Sequence, residues 1–251
     1  MGTEIFLQSL DLPDSCIVQK TIYKKYFYDN AGLRSLDKKL FTSNIEKVTW
    51  QYCLKPQTIN IRPYTDDEYE FLEIQIIEAE LKEKNRYQRI AEIIMRSIPY
   101  PIILQLTYEK ELMVVAGIPR KNLADSQRLT IEEFIYSPWI KSADIEVQDK
   151  KFFKNIHSSN ISFTNLFRFY LDFVDQLHLY NAAKLLGREL KEDDPLKAKQ
   201  LFLEIKKLQD DLRLLRSDLK KETMFHRKIE LNLQIKELEQ KIKALLNELG
   251  R

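Results

Sequence analysis

Glu80-Leu81-Lys82, with Asp66, Asp67 and Glu70 upstream, is the arrangement in this chain best suited to chemistry. Carboxylates that converge from neighbouring strands hold a divalent cation, and a nearby lysine positions or activates an attacking water. Glu80, Lys82 and Asp67 are therefore the candidate catalytic residues, for metal-dependent hydrolysis of a phosphodiester. The rival reading of the same triplet is a solvated strand end, because a chain with 31% charged residues readily produces such spacing by chance. A second acid on a preceding paired strand, which the chemistry needs, is not evident.

Other chemistries find less material. Five glycines in 251 residues form no phosphate-cradling loop, which removes the common nucleotide folds. His157, His178 and His226 are too scattered for a ligand set or a triad. Cys16 and Cys53 sit in unrelated contexts, so neither a disulfide scaffold nor a structural zinc site is expected. No cofactor and no metal are expected, and an enzyme is the less favoured class. The chain has no stretch of about 20 apolar residues and no secretory leader, so the expectation is a cytoplasmic protein away from the membrane.

The last quarter carries a different signal. Leu201, Ile205, Leu208, Leu212, Leu215 and Leu219 step by fours and threes, and Leu231, Ile235, Leu238, Ile242, Leu245 and Leu249 do the same. A ridge of this length must be covered by its own chain, a second copy or another protein. These residues, Leu249 apart, are the eleven of the candidate partner-binding set. The two runs are out of phase by two residues, which a single stutter does not produce. Two helices meeting near Lys221 to Met224 and folding back as a hairpin are preferred over one rod. β-Branched Ile205, Ile235 and Ile242 alternating with leucine favour pairing of limited size, so a homodimer stays open.

Charge is placed unevenly. Residues 195–251 carry a net charge of +5, whereas the remainder carries −3. Lys220, Lys221, Arg227 and Lys228, with His226 among them, are the residues suited to nucleic-acid phosphates, against the plainer reading of a mixed-sign coiled-coil exterior. Tyr23, Tyr26, Phe27 and Tyr28 beside Lys20, Lys24 and Lys25 read either as a stacking surface for single-stranded nucleic acid or as packing of an N-terminal arm. Trp50 and Trp139 read as core anchors.

Positioning these residues requires an α+β body. Ser35 caps a predicted helix over 36–54, closed by Pro56. A strand is expected at Thr58–Ile61, and a central strand from Tyr69 to Leu81. A helix follows from Lys84 to Ser97, then a hairpin of Ile102–Tyr108 and Leu112–Ile118 around Glu109-Lys110-Glu111. A further strand spans Leu129–Tyr136. The fold class is thus a mostly antiparallel sheet with helices on one face, then a long helix from Ser162 to Leu190, then a coiled-coil hairpin opened by Asp194-Pro195. The division is residues 1–145 for the body, 146–192 for a helical connector and 193–251 for the tail.

Five stretches stand out together: Leu12-Pro13-Asp14-Ser15, Lys24-Lys25-Tyr26-Phe27-Tyr28, Trp50 through Ile61, Ser97-Ile98-Pro99-Tyr100-Pro101, and Phe225 through Asn232. They resemble the bacterial family catalogued as domain of unknown function forty-three ninety-one, with His226 in place of the family's usual Asn. The likeness covers nearly the whole chain, in order. It implies a neighbourhood of mobile elements and defence islands, beside SNF2-type helicases and DNA methyltransferases, and brings no catalytic residues with it. The combined expectation is a non-enzymatic adaptor in a restriction-like or anti-phage system, whose protein partners are a helicase or a methyltransferase. The alternatives are a DNA-binding subunit using the basic tail and a metal-dependent nuclease around Glu80 and Lys82. The Glu80-Leu81-Lys82 triplet is similar to the D…ExK arrangement of restriction-type nucleases.

Overall fold

The computed structural model describes residues 4–30, 33–122, 129–188, 190 and 195–249. They fall into two compact units, 1–177 and 178–251. In chain order the first unit has α1 (Ile5–Ser9), β1 (Ile17–Thr21), α2 (Lys24–Asn30), α3 (Ser35–Asn44), β2 (Ile45–Leu54), α4 (Pro56–Ile59), β3 (Tyr64–Thr65), β4 (Glu70–Phe71), β5 (Ile74–Leu81) and α5 (Tyr87–Ser97). It continues with β6 (Ile102–Tyr108), β7 (Glu111–Ala116), β8 (Pro119–Lys121), β9 (Leu129–Ile131), β10 (Ile135–Tyr136), β11 (Ile140–Lys141) and α6 (Val147–Asn155). Helix α7 (Leu166–Leu186) contains the division between the units; α8 (Pro195–Lys221) and α9 (Phe225–Leu249) lie in the second.

The main sheet runs β1-β2-β5-β6-β7-β10, with β11 also against β7. Every neighbouring pair is antiparallel except β5 and β6, which are parallel. A parallel pair needs a crossover, and α5 supplies it. The α5 residues Ile90, Ala91 and Ile94 pack with Phe27 of α2 and Phe41 of α3 onto a sheet face built from Ile77, Ala79, Leu81, Leu104, Leu106, Met113 and Val115. Each of these side chains other than the two alanines contributes about 1.5–3 kcal/mol through burial. Ile74, Ile76 and Ile103 have the opposite parity and are also buried. The body is therefore the expected α+β fold with a mostly antiparallel sheet, followed by a long helix and a helical hairpin.

Several expected elements are corrected. The predicted helix over 36–54 is helical only to Asn44, after which β2 begins. The Thr42 and Ser43 hydroxyls donate back to the Lys38 and Lys39 carbonyls at 2.8 and 2.9 Å, competing with the helix's own bonds in its last turn. Register shifts within β2 at Ile45/Lys47 and Trp50/Tyr52 insert bulges that break its alternation, so the apolar spacing imitates a helix. The predicted strand at Thr58–Ile61 is instead the single turn α4: Pro56 opens it and Asn60, at φ 55°, closes it. Tyr69–Leu81 is two strands in different sheets, and so is Leu129–Tyr136. Helix α5 starts at Tyr87, after Arg86 at φ 53°, rather than at Lys84. The β6–β7 turn holds two residues, since Tyr108 pairs with Glu111. Helix α7 is capped by Asn165, whose Oδ1 accepts from the Arg168 amide at 2.7 Å, rather than by Ser162. Asp194 lies outside the described residues, but α8 does begin at Pro195.

Candidate functional site

On the body, β1, β2 and β5 form a polar groove lined by Gln19, Lys47, Thr49, Gln51, Glu78 and Glu80. The strand register sets Lys47 opposite Glu80 and Thr49 opposite Glu78. Gln51 Nε2 donates to Glu78 Oε2 at 2.6 Å. Burial holds the Glu78 carboxyl above the ordinary range, the Gln51 bond opposes that rise, and the charge of Glu80 adds to it. The other two catalytic candidates do not join Glu80 here. Lys82 Nζ pairs with Glu46 Oε2 at 3.0 Å. Asp67 sits in the turn between β3 and β4, where Asp66 accepts from the Tyr64 hydroxyl and from the Glu68 and Tyr69 amides.

Metal-assisted hydrolysis needs oxygens that converge from adjacent strands. Here β2, the strand beside β5, offers an ammonium, a hydroxyl and one amide: Lys47 opposes an incoming cation, and Gln51 already occupies one Glu78 oxygen. Among the described residues no group of three or more His, Cys, Asp or Glu is arranged to hold a metal ion. Glu78, Lys47 and Gln51 were not singled out from sequence. The alternation of Glu78 with Glu80 was a usable signal for the first, whereas the other two were hidden by reading β2 as helix.

Because the folded Glu78 carboxyl titrates above its reference value of 4.5, the native state binds more protons than the unfolded chain just above that pH. Stability therefore falls as pH rises through the folded pKa. The Glu78→Gln variant, which keeps the acceptor for Gln51, is expected to melt higher than the parent at neutral pH, with the gain vanishing on acidification below that reference value. Thermal melts across pH test this, and a gain that grew on acidification would contradict the assignment.

The N-terminal aromatic group is mostly structural. Phe27 is fully buried, the Tyr28 hydroxyl lies 2.9 Å from Thr42 Oγ1, and Lys24 bonds the Ile45 carbonyl. Trp50 Nε1 reaches Gln75 Oε1 at 2.8 Å, while the Trp139 ring receives the Lys84 ammonium 4.6 Å from its centroid. Both cysteines are free, and burial pushes the Cys53 thiol up to about 11.

In the second unit, α8 and α9 pack along the heptad ridge. Ile205, Leu212, Leu231, Ile235, Ile242 and Leu249 are buried. Leu201, Leu208, Leu215, Leu219, Leu238 and Leu245 are half-buried around that core. Arg216 pairs with Glu239 at 2.7 Å and Lys197 with Glu248 at 2.8 Å across the helices. The eleven residues expected to bind a partner thus lie in the seam between the chain's own two helices. The turn falls where the phase slip placed it, with Glu222 accepting from the Thr223 and Met224 amides at 2.7 and 2.8 Å. Those two bonds hold the Glu222 carboxyl below its usual range.

A family model described as Domain of unknown function (DUF4391) matches residues 10–242. The chain belongs to this family. No curated protein and no solved structure matches it.

In this family member the hairpin seam leaves apolar residues uncovered: Leu214 at 62%, Leu233 at 58% and Ile229 at 44% relative exposure. At its tip, Met224 and Phe225 are 68% and 78% exposed. Of the four cations singled out there, Arg227 pairs with Glu230 at 2.6 Å. Lys220, Lys221 and Lys228 make no ion pair among the described residues.

Proposed function

We propose that this protein is a non-enzymatic adaptor of a bacterial restriction-like or anti-phage system. It works in the cytoplasm, with the α+β body holding one component and the hairpin holding another, a helicase or a DNA methyltransferase of the same system. The observation that carries this reading is the set Leu214, Ile229 and Leu233, which stays exposed after the heptad ridge has been covered from within the chain. The adaptor role requires the three to act as one surface, since exposed apolar side chains mark an interaction site where they lie together. The groove supports the same reading, because its carboxylates are met by Lys47 and Gln51 rather than by further acids. No helix among the described residues is long and apolar enough to cross a membrane.

Magnitudes set the strength of such an attachment. Burying each of the three side chains contributes about 1.5–3 kcal/mol at most, against about 4–15 kcal/mol for the freedom lost on association. The hairpin face alone therefore gives a weak complex, and a stable one requires the body to engage as well.

The test combines the full chain with the purified helicase and methyltransferase of the same system, under light scattering and titration calorimetry. The double variant Leu214→Glu/Leu233→Glu is expected to bind at least about tenfold more weakly, since two exposed leucines would otherwise be desolvated. Circular dichroism should stay unchanged, because both positions face solvent. Undiminished binding by that variant, no complex with either component, or substrate turnover by the chain alone would each defeat the reading.

A further inference from the structure

We infer that the tip of the α8–α9 hairpin is a contact for single-stranded nucleic acid, with Phe225 stacking on an unpaired base while Lys220, Lys221 and Lys228 meet the phosphates. The buried part of the seam ends at Leu212 on one helix and starts at Leu231 on the other, so Met224 and Phe225 are not needed to close the hairpin. They are nonetheless the most exposed large apolar pair in the second unit. An aromatic face held in water is costly unless something covers it.

The surroundings name the chemistry of that cover. From Leu219 to Ile229 the side chains carry four cations and one carboxylate. That carboxylate, Glu222, accepts the Thr223 and Met224 amides on one oxygen, and its charge also acts on Arg227 and Lys228; of the four cations Arg227 makes an ion pair, with Glu230. Three ammonium groups are left beside an exposed ring. A polyanion whose own units present flat apolar faces satisfies both features at once. Double-stranded DNA keeps its base faces stacked and offers Phe225 no face without unstacking a step. An anionic membrane would need a broad apolar surface, whereas the exposed large apolar side chains at the tip, among the described residues, are Met224, Phe225 and, one turn on, the less exposed Ile229. This inference does not depend on the adaptor reading, because it concerns the chain on its own.

The experiment measures fluorescence anisotropy of a labelled oligothymidylate with the full chain, alone, from low to moderate salt. Binding is expected, with log K falling against log salt at a slope of about −2 for three phosphate contacts on a single strand. Phe225→Ala should weaken binding by about tenfold, and Phe225→Tyr should retain it. Lys220→Ala/Lys221→Ala should flatten the slope by about 1.4. All these positions are exposed, so the variants should keep the parent's circular dichroism. Absence of binding at low salt, parental affinity in Phe225→Ala or an unchanged slope in the lysine variant would overturn the inference. Equal competition by a duplex, or tighter binding to phosphatidylserine vesicles than to the oligonucleotide, would also overturn it.

Discussion

Ile205→Asp is expected to open the α8–α9 hairpin, with loss of helical circular dichroism and rapid proteolysis within residues 195–249. Ile205 is fully buried, and Ile235 and Ile242 from the facing helix belong to the same cluster. Truncating such a side chain to alanine costs about 2–5 kcal/mol. An ionised carboxylate in the same place adds a desolvation penalty, because the side chains clustered with it, Phe202, Ile235 and Ile242 among them, are apolar. A small helical unit with one seam holds only about 3–5 kcal/mol in total, so the substitution removes essentially all of it. Leu214→Asp, at 62% exposure, is the matched control and should shift stability by no more than about 0.5 kcal/mol. If Ile205→Asp resisted heat and protease as the parent does, the seam would not be the contact that holds these helices together.

That contrast between Ile205 and Leu214 also separates what the sequence discloses from what it withholds. The heptad phase points to the hairpin, because a two-residue slip between runs is not produced by a single stutter or stammer in one continuous coil. Lys221 and Phe225 accordingly end and begin helices where the slip implies. Which side of the ridge finds its cover is not written in the spacing, since an internal seam and an intermolecular one use the same leucines. The body reads less well at β2. Its two bulges shift side-chain parity, so Ile45, Val48 and Tyr52 fall at helical intervals although Trp50, Thr49 and Val48 favour a strand. That error carries over to the groove: with β2 read as helix, Lys47 and Gln51 have no reason to face Glu80 and Glu78. Of the proposed acids, Glu80 stayed in the groove and Asp67 did not, because the turn between β3 and β4 belongs to a separate two-stranded sheet. Phe225 is hidden in the sequence for another reason. Sequence marks it as apolar, but only the end of the packed seam shows that nothing in the hairpin requires it.

Tyr170→Phe is expected to destabilise the body by about 2 kcal/mol, which is large for the loss of one oxygen, because two backbone carbonyls share that hydroxyl's single proton and a backbone amide donates to its oxygen. Tyr170 is fully buried on α7, and its Oη lies 2.8 Å from both the Ile102 and the Gly117 carbonyls. The same oxygen accepts from the Gly117 amide at 3.3 Å. Ile102 begins β6, and Gly117 directly follows β7. The β6–β7 register extrapolates to bring these two residues opposite each other, at the point where the chain leaves the main sheet for β8. The hydroxyl thus stands in for ladder hydrogen bonds that end there, and burial without a replacement costs about 1–3 kcal/mol for an unpaired group. Burial accordingly pushes the phenol well above its ordinary pKa, so it remains a proton donor throughout the accessible pH range. Gly117 tightens the same corner, since a Cβ there would stand 2.7 Å from the Glu133 carbonyl oxygen and 2.7 Å from Ile131 Cγ2. Gly117→Ala must therefore displace β9 or the segment after it, at about 1–3 kcal/mol. Because both changes act on one junction, the double variant should lose less than the sum of the singles. Chemical denaturation of the four proteins measures that coupling, and strict additivity would show that the hydroxyl and the glycine do not hold the same corner.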